Sequence, residues 1–436
     1  MMKREHKQAA RISAIVQKNL APKALALAVT AAAAFPAVAD ENPFHLYFRS
    51  GIGSAVDGGD QVCYKAQNAP AKYRLGNECE TYAAVRLIKG LDVEGAGKFK
   101  VTTEMIYETD QNTDWEQING DTSSADRLAI RRFNVAGTDV IEALPGATLW
   151  IGKEFVDRQN VHINDFFYWD PKGPGVGLRD IDVGFGKVGV SWLRNGSTNA
   201  TDDGGDAGNY VNNTYDIRLS KVALTDKVSA EFGLTLGSTS GTKRLSYDGN
   251  DNSGSLVTVN FMFSDVLGGS NKLTLQHAKD GMIADANTGN QNGSLEGDFF
   301  RIIDSGIVAI GDQTEAQFVA IYEDKNDDKA ATEGYTWTSF GIRPVVQWGG
   351  YSSTAFELGY DLVDPKADGL KTASMTKFTV AQQFSAGSKF YSRPSLRLFA
   401  TFAKWDDAGA NSNAGGVTPE HATQGISFGA QTEVWF

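Results

Sequence analysis

Tyr47, Tyr82 and Trp435 are large rings on faces where polar side chains are expected. Along a β-strand successive side chains point to opposite faces, so residues two apart share one. By that count Tyr47 shares its face with His45 and Arg49, Tyr82 with Glu80 and Arg86, and Trp435 with Gln431 and Glu433. Rings set among charges match the two-sided chemistry of a sugar. The apolar C–H face of a pyranose stacks on the ring, and its hydroxyl rim bonds the neighbouring Arg, Asp and Glu. A row of shallow sites suits conduction, because each stop must bind weakly enough to release. Catalysis finds no comparable pattern: the chain has no GxSxG elbow, HExxH, Walker loop or CxxC. Past the N-terminal segment its histidines are His45, His162, His277 and His421, and they are scattered. Asp202, Asp203 and Asp206 lack the ligand spacing of an EF-hand and read as solvated loop charge. No enzyme, metal or cofactor is expected.

The elements that must hold these rings are strands. In the last eleven residues Ile426, Phe428, Ala430, Thr432, Val434 and Phe436 oppose Ser427, Gly429, Gln431, Glu433 and Trp435. Phe44, Leu46, Phe48 and Ile52 oppose His45, Tyr47, Arg49 and Gly51 in the same way, as do Phe99, Val101, Met105 and Tyr107 with Lys100, Thr102 and Glu104. Gly/Asn/Asp-rich turns separate such segments, and no linker marks a second domain. A soluble sandwich also alternates, so three further features decide. Residues 1–39 read as an export signal: a basic stretch (Lys3, Arg4, Lys7, Arg11, Lys18, Lys23), an apolar run from Ala24 to Ala34, and a small-residue cleavage site at Ala37-Val38-Ala39. The apolar run is shorter than the ~20 residues of a membrane helix. Residues 40–436 are too many for one sandwich, and the chain ends in a strand closed by Phe436. Dividing them by roughly 22 residues per strand and connection gives about 18 strands. The expectation is a single all-β domain over 40–436, a transmembrane antiparallel barrel with apolar residues out and polar residues in. The polar stretches 201–213, 247–255, 287–297, 323–329 and 408–417 are read as surface loops.

Charge excludes one class of partner. The full chain carries −12, and without the basic N-terminal segment the remainder stands at −17. No basic cluster offsets this, so nucleic acid is not a partner. Cys63 and Cys79 are the two cysteines. In an exported chain such a close pair reads as one disulfide closing a loop, the alternative being two separate buried thiols. Two thiols are too few for structural zinc.

Several stretches strongly resemble the maltoporins, the sugar porins of Gram-negative outer membranes that pass maltose and maltodextrins. They are Tyr47-Phe-Arg-Ser-Gly-Ile-Gly53, Lys72-Tyr-Arg-Leu-Gly-Asn-Glu-Cys-Glu-Thr-Tyr82, Leu144-Pro-Gly146, Asp165-Phe-Phe-Tyr-Trp-Asp170, Gly173-Pro-Gly175, Asp180-Ile-Asp-Val-Gly-Phe-Gly-Lys187, Ala403-Lys-Trp-Asp406 and Phe428-Gly-Ala-Gln431. They span essentially the whole of residues 40–436. The resemblance implies an 18-stranded barrel in outer-membrane lipid, a homotrimer, and an inward-folded loop that narrows the pore. It assigns Tyr47, Tyr82, Trp115, Phe384 and Trp435 to an aromatic slide, with Trp115 reaching into a neighbouring subunit's pore. Alternation sets Phe384 beside Phe378 and Val380, so that assignment rests on the resemblance alone. Arg49, Arg74, Arg131, Arg158, His162, Asp165 and Asp170 correspond to a polar track, and Cys63 and Cys79 to the family's loop disulfide. Departures occur where the family has acidic or aromatic groups: Ala84 for a Glu, Asn160 for an Asp, Phe167 for the constriction Tyr, and Thr258 for the last slide aromatic. They make a sucrose-type or broader carbohydrate porin the rival for substrate. A general diffusion porin that also serves as a surface receptor, for a phage for example, is the other alternative.

Overall fold

A computed structural model describes residues 42–94, 97–110, 127–197, 210–241, 253–283, 289–293, 295–328, 334–406 and 422–436. The N-terminal segment expected to be a signal therefore lies outside the described residues. Twenty strands follow in chain order: β1 (Phe44–Ala55), β2 (Glu80–Val93), β3 (Gly97–Asp110), β4 (Arg127–Thr138), β5 (Thr148–Phe155), β6 (Gln159–Val161), β7 (Phe166–Trp169), β8 (Lys172–Asp182), β9 (Lys187–Ser197) and β10 (Tyr210–Ala223). The second half holds β11 (Val228–Gly241), β12 (Ser253–Val266), β13 (Gly269–Asp280), β14 (Gly297–Ala309), β15 (Thr314–Asp327), β16 (Tyr335–Gln347), β17 (Ser352–Pro365), β18 (Ala373–Ser385), β19 (Ser395–Trp405) and β20 (Gln424–Trp435).

Eighteen of these pair antiparallel with their neighbours in one sheet, and β20 returns to pair with β1, closing the barrel. The small β6–β7 hairpin stands apart. Closure gives each described wall strand a neighbour on both sides, which a lipid environment demands of a spanning sheet. Alternation sets the two faces of the wall. On β19 the buried residues are Ser395, Arg397, Phe399, Thr401, Ala403 and Trp405, while Leu396, Leu398 and Phe402 are exposed. On β20 Ile426 and Phe428 face outward and Ser427, Gln431 and Glu433 inward. Such an apolar exterior over a charged interior inverts a water-soluble protein and fits a lipid-facing wall.

Most wall strands run 11–14 residues, more than the ~10 needed to cross hydrocarbon at a tilt. This corrects several loop boundaries expected from polarity. Residues 210–213 belong to β10, 253–255 to β12 and 323–327 to β15. Ladder hydrogen bonding continues above the apolar band, where side-chain polarity no longer marks the strand.

The barrel is filled by connections that fold inward. Residues 56–79 between β1 and β2 are tied by the Cys63–Cys79 disulfide, whose Cα atoms are 6.0 Å apart. Tyr73 of this connection enters a notch between Gly341 and its cross-strand partner Gly359. A Cβ at either glycine would lie 1.9 or 2.1 Å from the Tyr73 ring, so only glycine leaves room. The Tyr73 hydroxyl lies 2.7 Å from Ser339 Oγ, and the Leu75 carbonyl accepts from Lys377 (2.8 Å) and Thr379 (3.0 Å). Residues 156–171 form the second inward connection and carry β6 and β7. Phe166, Tyr168 and Trp169 are fully buried against the far wall. Trp169 fits over Gly233, and the Arg218 guanidinium lies 3.5 Å from its ring while donating to the Val156 and Asp157 carbonyls (2.9 and 2.8 Å). A third, short connection, residues 386–394, lays Phe390 and Tyr391 against the second.

Candidate functional site

Three adjacent strands at the closure seam, β20, β1 and β2, position the rings. Register places Tyr47 directly opposite Trp435, and the two rings stack with centroids 6.4 Å apart and planes 11° from parallel. Tyr82 lies opposite Arg49, hence diagonal to Tyr47, and its ring centroid is 5.9 Å from that of Tyr47. Diagonal neighbours across a ladder remain within reach of aromatic side chains. All three rings are half-buried and sit on the inner face. Tyr391 extends the row, 6.5 Å from Trp435.

Charged groups lock these rings. Glu433 accepts from Arg74 (3.0 Å), Arg393 (2.6 Å), Arg397 (2.9 Å) and the Tyr47 hydroxyl (3.2 Å). Arg74 also donates to Tyr47 Oη (2.5 Å) and Glu78 (2.6 Å). It is 5 % exposed and surrounded by acceptors, so it orients Tyr47 and has little left to offer a solute. Arg49 pairs with Glu80, Glu78 (3.4 Å) and Asp165 (3.5 Å) and lies 5.0 Å from the Tyr82 ring. Arg393 lies 3.9 Å from the Trp435 ring.

His162 sits in the turn between β6 and β7, edge-on to Trp435 (5.5 Å) and Phe390 (6.1 Å). Burial holds its pKa well below the ordinary histidine range, and Arg74 adds to the effect. Its Nδ1 lies 3.3 Å from Arg74 Nη1, and arginine can only donate. Nδ1 is therefore the acceptor and the ring proton resides on Nε2.

A second cluster forms where residues 156–171 approach β2–β5. A bulge in β4 opposite Glu104 lets the consecutive Arg131 and Arg132 both turn inward. Their guanidinium carbons lie 4.8 Å from the Phe155 ring, and that of Arg158 lies 4.6 Å from it and 4.3 Å from Phe167. Arg132 pairs with Glu154 (3.2 Å) and Glu104 (3.8 Å), and Lys172 with Asp170 (2.7 Å).

The expected residues therefore divide. Tyr47, Tyr82, Trp435, Arg49, His162 and Asp165 come together as one group, and Arg131, Arg158 and Phe167 as another. Asp170 is 1 % exposed and held by Lys172, which makes it a buried anchor. Phe384 is a correction. Lys377 and Thr379, on the opposite face of β18, are the residues that bond the inward connection, so Phe384 points outward with Phe378 and is 44 % exposed. Its period-2 position decides this over the resemblance. Trp115 lies outside the described residues. Thr258 is buried and accepts from Gln276 (3.0 Å), which in turn holds the Tyr168 carbonyl. Ala84 faces Tyr47 across the ladder, and Asn160 faces Phe167. Sequence reasoning missed Tyr391, Phe390, Arg393, Phe155 and Arg132. The first three lie in a turn, where alternation gives no face, and Arg132 is out of phase because of the bulge.

Comparison with known proteins adds the family. The profile described as LamB porin matches residues 43–436. The chain belongs to the LamB porin family. This porin is a multi-pass β-barrel of the outer membrane and a channel, not an enzyme. Among solved structures it is similar to OccAB1 of Acinetobacter baumannii, with 12 % identity, TM-score 0.50, and coverage of 90 % of this chain and 96 % of that one. OpdK of Pseudomonas aeruginosa matches at 10 % identity and TM-score 0.49, over 90 % and 98 % of the two chains. At such identity the likeness concerns the fold.

Proposed function

We propose that this porin is a sugar-selective channel, passing maltose and maltodextrins down their gradient as a homotrimer without energy or cofactor. The observation that carries the reading is the Tyr47–Trp435 stack, prolonged by Tyr82 and Tyr391 and bordered by Arg49, Asp165 and Arg393. Rings give a sliding sugar its apolar platform, and the flanking groups exchange hydrogen bonds with its hydroxyls. Each contact is modest, about 1 kcal/mol net for an exposed hydrogen bond, which permits release at every step.

A disaccharide channel of the sucrose type is the second reading. Ala84 opposite Tyr47 and Asn160 opposite Phe167 leave two places without a carboxylate for sugar hydroxyls. Ion current through the porin in a planar bilayer, titrated with maltotriose, maltohexaose and sucrose, tests both. Saturable block that tightens from trisaccharide to hexasaccharide supports the extended slide. Block by sucrose without gain from chain length supports the second reading, and no block by any of the three refutes sugar selectivity.

A further inference from the structure

Arg131 and Arg158 differ from every other lumen arginine described above. Among the described residues neither has a carboxylate within ion-pair distance or a hydrogen-bond acceptor, and both lie against aromatic rings. Both guanidinium carbons lie within 5 Å of one ring, Phe155, at 4.8 and 4.6 Å, so the two groups border one space. Arg158 is exposed and Arg131 half-buried. The carboxylates nearest them are already engaged. Glu104 and Glu154 share Arg132, and Asp170 is held by Lys172. Tyr82 borders the same space and is within electrostatic reach of both arginines.

Among the described residues the nearest carboxylates, Asp170 and Glu104, act on Arg158 only from beyond ion-pair distance, so neither guanidinium group is fully compensated. An oxoanion relieves this, because planar guanidinium forks match its oxygens and charge-assisted bonds are the stronger kind. We propose that Arg131 and Arg158, seated on Phe155 and Phe167, form an oxoanion subsite that favours saccharides carrying a phosphate, sulfate or carboxylate group. The proposal rests on the sugar-channel reading and narrows its substrate class.

Bilayer block by maltose, by maltose 1-phosphate and by inorganic phosphate, each at low and high salt, tests it. The ester is expected to half-block the wild-type channel at about a tenfold lower concentration than maltose, an advantage that shrinks as salt screens the charges. R131Q/R158Q should bring the ratio of the two half-block concentrations close to one and shift the zero-current potential in a KCl gradient toward cation preference. If the double variant does not insert, R158K and the wild-type ratio decide. R158K keeps the charge but loses the fork and should retain only part of the advantage. Maltose and ester blocking equally would overturn the subsite while leaving the sugar channel intact. Block by inorganic phosphate as strong as by the ester would overturn the saccharide preference and leave a free-anion site. Absence of block by any probe would refute the sugar-channel reading and this inference with it.

Discussion

Replacing Trp435 by Ala tests the slide most directly. The indole is a half-buried platform with Tyr47 stacked beside it, His162 edge-on and Arg393 over its face. Truncation deletes one stacking surface and leaves the surroundings anchored. Arg393 remains bound to Glu433 (2.9 and 2.6 Å) and to the Phe390 carbonyl (3.0 Å), and Tyr47 remains bound to Arg74 and Glu433. An aromatic contact contributes about 0.5–1.5 kcal/mol beyond its area. At the upper end that is roughly a tenfold change in affinity. The half-block concentration for maltohexaose should therefore rise about two- to tenfold, and Trp435→Phe should recover most of the loss. Heat resistance of the folded barrel on gels checks that the variant is native. A half-block concentration unchanged within about twofold, in a barrel that is still folded, would refute the reasoning.

Other outcomes follow from the same geometry. Phe384→Ala should leave sugar block untouched, because the side chain faces out of the barrel; a loss like that of Trp435→Ala would restore it to the slide. Glu433→Gln removes the one carboxylate shared by Arg74, Arg393 and Arg397 and should cost about 3–5 kcal/mol, seen as a fall in unfolding temperature. His162 has a folded pKa below its unfolded value of ~6.5, so only the unfolded chain takes up a proton as pH drops through that range. Stability should thus decline below about pH 6.5, and His162→Phe should flatten that slope in thermal unfolding across pH 5–8.

Much of the architecture was legible because a barrel wall writes its pattern into every strand. Alternation alone placed Tyr47, Tyr82 and Trp435 on the inner face and set Phe384 with Phe378, and on Phe384 it was the better guide than resemblance. The strand ends were not legible, since residues 323–327 are polar yet remain in the ladder of β15. Of the second cluster, Arg131, Arg158 and Phe167 came from the resemblance, while Arg132 could not be read, because a one-residue bulge breaks the count between Arg131 and Arg132. The notch for Tyr73 is invisible to a local reading: Gly341 and Gly359 look like weak points in their strands, and their purpose lies in a ring from the opposite end of the chain. Nor does a local reading show that Arg74 is spent on an inner anchor, since one of its partners, Glu433, lies at the other end of the chain.

The stacked pair of Tyr47 and Trp435 joins the first strand to the last, beside the reciprocal backbone hydrogen bonds of Leu46 and Phe436 (3.2 Å each). The stacked pair is therefore absent from any partly assembled sheet and comes into being only when the two chain ends meet. Any solute held between these rings acts as a clasp on that junction. By mass action it adds RT ln(1 + [L]/Kd) to the stability of the closed cylinder and nothing to an open one. Ligand binding and completion of the barrel become two readings of one event, so retention of the folded protein on an immobilised oligosaccharide would also count how many molecules have closed.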